Sequence, residues 1–317
     1  VEGTLWKMGD MFQLSIELYD TKESKVIWSD RWEEKWDNLP LIKGGLSDGL
    51  LKALDTTSKV EKKVETANTE AYEYYLQGKY KYEKRENMED TELANGLLKK
   101  AIELDDNLLC AKQLLGWVFY HTGDVDRAKL IFQNNLKQAE KLDDKSSVAE
   151  YLGSLATYYA DRSDYENALK YANNSIEIYK YIGDLWGTAG RLNTIGIIYH
   201  YKGEYKKALD YFKRTSKIYT QLGASDGMIL GNIGNAYSNL GELDKSLECY
   251  TRSLEYYEDI GDKMHSAGRI NCIGITYNRK GDYDKALQYN NRSLKMREEI
   301  NDTHGLGYDY FHIGYAY

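Results

Sequence analysis

The residues able to do chemistry are scattered along this 317-residue chain. None of its five histidines, His121, His200, His265, His304 and His312, stands four residues from another or in a His-Glu-x-x-His run, so a helical metal-hydrolase site has no starting point. Cys110, Cys249 and Cys272 are odd in number, far apart and without a Cys-x-x-Cys. That pattern supports neither a disulfide framework nor a zinc site. No histidine lies at a local spacing that would make a thiol dyad, so packed or partly exposed thiols are expected. Gly44-Gly45-Leu46-Ser47-Asp48-Gly49 shares only its glycines with a phosphate loop and lacks the closing Gly-Lys-Ser/Thr. Gly305-Leu306-Gly307 follows a helical pattern and not a strand, which argues against a dinucleotide fold. Paired carboxylates such as Glu33-Glu34 and Asp143-Asp144 sit in polar stretches where nothing shifts their pKa. The expectation is therefore no enzyme, no cofactor and no metal in this stretch of chain. What does recur is the amide: Asn193, Asn232, Asn235, Asn239, Asn271 and Asn278 lie along one series of helices. Asparagine is a poor helix former, yet its side chain both donates and accepts, as an extended peptide backbone requires.

A repeat positions these amides. Residues 192–212, LNTIGIIYHYKGEYKKALDYF, return at 270–290 as INCIGITYNRKGDYDKALQYN. Small residues at Gly116, Ala156, Gly196, Gly234, Gly274 and Gly314 are spaced by 40, 40, 38, 40 and 40. A second small residue follows each of the first five by twelve, at Ala128, Ala168, Ala208, Ser246 and Ala286. Between them, seven after the first, stand Gly123, Ser163, Gly203, Gly241 and Gly281. A fixed period of this length marks a repeat architecture. Leu192, Ile195, Gly196 and Tyr199 form a helical stripe, and Tyr205, Ala208, Leu209, Phe212 and Ile218 form the next. Gly196 and Ala208 let the two helices approach, with Tyr and Phe rings in the gaps. Gly203 suits the left-handed conformation that closes a helix, as do Gly183, Gly223, Gly261 and Asn301 at the ends of the second helices. Asp184, Asp262 and Asp302 then stand where the following helix needs a cap.

These units resemble tetratricopeptide repeats. The matching residues are the small ones at 116, 156, 196, 234 and 274, the aromatics Phe119, Tyr159, Tyr199, Tyr237 and Tyr277, and the Ala or Ser at 128, 168, 208, 246 and 286. The usual unit has about 34 residues and often ends in proline. Here Pro40 is the single proline of the chain and the unit is longer, which lengthens each helix by roughly 4.5 Å. GNIGNAYSNLGELDKSLECY, at 231–250, is similar to the Leu-Gly-Asn-repeat and kinesin-light-chain types. The resemblance covers 67–317, as two irregular units at 67–145 and an extended array at 146–317 whose last unit is incomplete. The step from Gly78 to Ala94 is sixteen, so an enlarged loop is expected around Glu86-Asn87-Met88-Glu89. The implied fold is mainly α: a right-handed solenoid of helical hairpins.

The first residues follow another rule. Phe12, Leu14, Ile16 and Leu18 alternate with Met11, Gln13, Ser15 and Glu17, a strand pattern, and 25–32 reads as a third strand. Residues 41–54 are expected to be helical. This α/β fragment of three strands and a helix, at 1–56, is similar to the end of a TolB amino-terminal-like domain, carried by Val1-Glu2-Gly3, Gly9, Leu14, Leu18, Asp20, Ile27-Trp28 and Arg31-Trp32. In bacterial signalling proteins such a domain links an upstream module, for example a class III adenylate or guanylate cyclase, to a tetratricopeptide array. Residues 57–66 are expected to be a charged linker. The chain opens on Val1 and stops at Tyr317 within the repeating pattern, so it is read as a piece of a longer one.

With 42 Lys and Arg against 50 Asp and Glu, the net charge is −8 and mixed along the chain, which argues against a nucleic-acid partner. No apolar run approaches the ~18 residues that span a membrane, and a reducing cytosol is the expected compartment. The inner wall of such an array is lined by first helices. Residues placed there are Arg191, Asn193, His200, Tyr201, Asn232, Asn235, Asn239, Arg269, Asn271, Asn278 and Arg279, with Trp117, Tyr120 and His121 in an earlier unit and Phe311, His312 and Tyr315 in the last. The resemblance implies that Asn and Arg in this groove clasp a peptide. The same amides can instead bond one another between repeats and bind nothing. Removing Asn235 and Asn271 is expected to abolish partner binding without lowering the melting temperature. Three roles follow: a scaffold for a protein or peptide ligand in bacterial signalling, a regulatory region of an upstream cyclase, or an oligomerisation arm that uses the uncovered stripe of the last unit.

Overall fold

The computed structural model describes residues 2–8, 11–20, 25–35, 68–85 and 87–316. The helix expected at 41–54, the linker at 57–66 and Tyr317 lie outside them. Three strands, β1 (Glu2–Met8), β2 (Met11–Asp20) and β3 (Lys25–Lys35), form an antiparallel sheet in sequence order. Leu5 pairs with Leu14 and Leu14 with Trp32, and the β2–β3 register shifts between Leu18 and Tyr19.

The helices are α1 (Thr69–Glu83), α2 (Met88–Leu104), α3 (Leu109–His121), α4 (Val125–Lys141), α5 (Lys145–Ala160), α6 (Tyr165–Ile182), α7 (Leu185–Tyr201), α8 (Tyr205–Gln221), α9 (Gly227–Asn239), α10 (Leu243–Asp259), α11 (Lys263–Lys280), α12 (Tyr283–Glu299) and α13 (Thr303–Ala316). The chain divides into two compact units, Val1–Tyr158 with Tyr181–Gly183, and Tyr159–Lys180 with Asp184–Tyr317. In the first, α1 packs on α2, α2 on α3 and α3 on α4. In the second, α7 to α13 each pack on the next, a repeating helical solenoid within that unit.

The connections are short because single residues turn the chain. Gly203, Gly241 and Gly281 have φ of 75°, 79° and 79°, and Ser163 takes the same region at 59°. Asn301 (55°) and Asp143 (51°) do so after second helices. Asp143 was not singled out for this role, and Asp144 next to it accepts from the Ser147 N–H at 3.0 Å. Asp184, Asp262 and Asp302 accept from the N–H three residues on, at 2.9, 3.0 and 2.9 Å. Asp262→Ala should therefore cost about 1 kcal/mol in urea unfolding, the usual loss for a helix cap. Of the enlarged loop expected at 86–89, Met88 and Glu89 are helical instead. Asn87 caps α2 by accepting from the Asp90 N–H at 3.0 Å, so Met88 and Glu89 already belong to its first turn.

Packing within a hairpin follows the small residues. Phe212 is 1 % exposed and lies over Gly196, clustering with Ile229, Ile233 and Ala236 of α9. Tyr250 lies over Gly234, and Phe132 over Gly116, in the same way. A second device recurs at the hairpin turns. Lys207, Lys245 and Lys285 stand 5.2, 5.3 and 5.1 Å above the rings of Tyr199, Tyr237 and Tyr277. Each ammonium is also held by Glu204, Glu242 or Asp282 three residues earlier. Cation, ring and carboxylate thus tie the start of each second helix to the end of its first.

Candidate functional site

The eleven residues marked on the repeats all lie in the second unit, on α7, α9 and α11. α7 touches α9, and α11 touches α13, so side chains of one first helix reach the next. Asn232 Nδ2 donates to Asn193 Oδ1 at 3.0 Å, from α9 to α7. Asn239 Nδ2 donates to His200 Nε2 at 3.1 Å and to the Asn235 carbonyl at 2.9 Å. Burial pushes the His200 imidazole below its ordinary pKa, and a neutral ring can accept from that amide. The Tyr250 hydroxyl donates to Asn235 Oδ1 at 2.6 Å. Arg279 Nη1 donates to the Ser238 carbonyl at 2.7 Å and hydroxyl at 2.5 Å.

Asn271 and Asn278 are drawn further inside. They are 6 % and 5 % exposed, and they donate to Asp309 Oδ1 at 2.7 Å and to the His312 carbonyl at 3.1 Å. An Asn271→Ala change thus removes a buried hydrogen bond, and a lower melting temperature is expected with it. Arg191 and Arg269 are partly buried, with Nε of both and Nη1 of Arg269 unpartnered. The Arg269 guanidinium occupies the space that a side chain at Gly231 would need. Tyr201, 57 % exposed, stands open on the same series of helices as the exposed Asn239 and Arg279.

Among the asparagines of α7 and α9, the side-chain atoms left open are therefore Asn193 Nδ2, Asn232 Oδ1, Asn235 Nδ2 and Asn239 Oδ1: two donors and two acceptors. Ser238, Tyr250 and Asp309 complete the network and were not foreseen. In the first unit, the Tyr82 hydroxyl and His121 Nδ1 stand 2.6 Å apart, and Trp117 and Tyr120 flank the imidazole. On α13, Phe311 and Tyr315 are 68 % and 66 % exposed.

The thiols of Cys249 and Cys272 are pushed up by burial, the opposite of what a nucleophile needs. Among the described residues, no group of three His, Cys, Asp or Glu could hold a metal ion, and no helix is long and apolar enough to cross a membrane.

Residues 147–221 and 225–299 match the family model of the tetratricopeptide repeat. Three solved structures illustrate the similar folds that are known. BtubC (BKLC) from P. vanneervenii is 16 % identical with a TM-score of 0.57, over 72 % of this chain and 92 % of that one. A signal-transduction ATPase with numerous domains and a tetratricopeptide repeat sensor, from Pyrococcus horikoshii, is 18 % identical with a TM-score of 0.64, over 78 % of this chain and 38 % of that one. A Rap protein complexed with competence and sporulation factor is 16 % identical with a TM-score of 0.57, over 88 % of this chain and 81 % of that one. At such identities the likeness is one of fold. No curated protein matches the sequence.

Proposed function

We propose that this chain, whose residues 147–221 and 225–299 match the tetratricopeptide-repeat family model, is an interaction scaffold that holds an extended segment of a peptide or protein partner along α7, α9 and α11. The observation that carries this reading is the presence of both open donors and open acceptors among Asn193, Asn232, Asn235 and Asn239. An extended backbone presents one acceptor and one donor per residue and so needs both. A second feature narrows the guest. Leu185–Tyr201, Gly227–Asn239 and Lys263–Lys280 contain no Asp or Glu, although the chain as a whole is acidic. Arg279 is exposed and bonded only to neutral oxygens, so a guest that carries carboxylates is favoured. The setting is taken to be a cytoplasmic bacterial signalling protein. The sensor repeats of the Pyrococcus horikoshii protein and the factor-bound Rap protein offer fold-level precedents.

The test is selection from a random peptide library, followed by titration calorimetry of the selected peptides. Asn235→Ala with Asn239→Ala should weaken binding at least about tenfold, the loss of roughly one good hydrogen bond. Unchanged affinity would refute the reading. A second reading, an oligomerisation arm, is favoured by the exposure of Tyr310, Phe311 and Tyr315 on α13. It requires mass to rise with concentration in sedimentation without any peptide. The reading as a regulatory region of an upstream cyclase draws only on the resemblance of residues 1–56.

A further inference from the structure

The seam between α12 and α13 carries a polar residue at each of three places where the other seams of the unit carry at most one. Sixteen residues after the small residue of the first helix, Phe212 and Tyr250 supply a ring in this unit and Ala172 a methyl; at the equivalent place stands Asn290. Asn290 is 0 % exposed, lies against Gly274, and neither Nδ2 nor Oδ1 has a partner. Tyr219 and Tyr257 correspond to Arg297, and Ile229 and Arg269 correspond to Asp309. Tyr179 likewise corresponds to Arg297 and Arg191 to Asp309, so the tyrosine of the other seams is exchanged for a cation, and their Arg or Ile for a buried carboxylate.

The exchange is incompletely satisfied. Arg297 Nε stands 3.4 Å from Asp309 Oδ2 and 3.7 Å from Asp302 Oδ2. These distances are long for a charge-assisted hydrogen bond, and Arg297 Nη1 is buried without a partner. Asp309, 0 % exposed, accepts from Asn271 Nδ2 at 2.7 Å and from the Ser293 hydroxyl at 3.0 Å. The single Ser293 hydrogen is also within reach of the Ala267 carbonyl at 3.0 Å. Burial still pushes the Asp309 carboxyl up, against the pull of Ser293 and Arg297. Asn278 Oδ1 adds one more buried atom without a partner. Each such group weakens the docked state relative to an apolar seam, and water meets the need when the seam opens.

From this contrast we infer that α13 is a latch: it docks on α12 through a polar seam that opens as a local unit while α7 to α10 stay folded, and its release frees the amides of Asn271 and Asn278. This goes beyond the groove reading and does not depend on any guest. The device is local opening with a free energy below that of global unfolding.

Hydrogen exchange by mass spectrometry on the full chain tests it. Amides of α13 should exchange at least about tenfold faster than those of α9. Replacing the seam with the residues of the α8–α9 contact, Asn290→Phe, Arg297→Tyr and Asp309→Ile, should slow α13 exchange at least about tenfold and leave α7 and α8 unchanged. Should the triple variant fail to fold, Asn290→Leu alone should slow α13 in the same direction. Protection of α13 equal to that of α9 in the unaltered chain would overturn the proposal. So would an unchanged exchange rate in whichever replaced seam folds.

Discussion

Phe212→Ala is expected to destabilise the α7–α8 hairpin by about 3–5 kcal/mol and Gly196→Ala by about 1–3 kcal/mol, while Gly196→Ala combined with Phe212→Leu costs less than Gly196→Ala and Phe212→Leu measured singly and summed. The geometry gives the reason. A Cβ built on Gly196 would stand 2.5 Å from one ring carbon of Phe212 and 2.6 Å from another, well inside contact distance. The ring cannot swing away, because it is 1 % exposed and seated among Ala208, Ile229, Ile233 and Ala236. The added methyl must therefore push α7 from α8, or push Phe212 into α9. Removing the ring leaves the opposite fault, a void that the helices can only partly close. Leucine removes the part of the ring that meets the new methyl, so the two substitutions should couple favourably, as neighbouring core changes do. Urea unfolding followed by circular dichroism gives the four corners of the cycle. Additivity would mean that glycine and ring do not share one space, and that the spacing of small residues has another cause.

The spacing was legible because it is a local demand repeated. Each Gly or Ala must admit a neighbour, and each left-handed turn residue must close a helix, so residue type alone marks the place. Ser163 and Asn301 stood at the turn positions of the sequence, and both have positive φ. Asp143 does the same work, but an aspartate beside another carboxylate does not mark a turn by its type, although it tolerates the left-handed region. Gly78 to Ala94 misled in another way. An interval of sixteen does not say whether the surplus residues loop out or wind into helix, and Asn87 decides for helix by capping α2.

The candidate wall was legible only to the level of the helix that carries each residue. Whether an amide meets solvent or a neighbour depends on how adjacent first helices are offset, a tertiary quantity. Asn193 meets Asn232 and His200 meets Asn239, each 39 residues on. Ser238 meets Arg279 at 41, and Asn271 meets Asp309 at 38. Equivalent positions in successive repeats are 38 or 40 apart, so several of these partners are not equivalents of one another. A ladder of equivalent positions does not join Ser238 to Arg279 or Asn271 to Asp309.

The tyrosines give the chain a second large liability, at alkaline pH. Tyr151 and Tyr250 are 0 % and 3 % exposed, and their hydroxyls donate to the Leu109 carbonyl at 2.7 Å and to Asn235 Oδ1 at 2.6 Å. Burial pushes both phenols far above the ordinary value, and it raises Tyr82, Tyr219 and Tyr257 as well. In the unfolded chain all of them titrate near pH ~10. Below that pH both states are protonated and these groups make no difference between them. Above it the unfolded state releases protons that the folded state retains, so folding loses about 1.4 kcal/mol per pH unit for each fully buried phenol. Tyr151 and Tyr250 together should give a slope of roughly 2.7 kcal/mol per pH unit above pH ~10, with the three less buried tyrosines adding to it. Urea midpoints measured from pH ~9 to pH ~11.5 should fall along this slope, and phenolate absorbance should rise together with the loss of helical signal. Tyr151→Phe and Tyr250→Phe each remove one such proton and should flatten the slope by about 1.4 kcal/mol per pH unit, whatever they do to stability at neutral pH. A slope unchanged in both variants would show that the two hydroxyls ionise in place, with the helices intact around them.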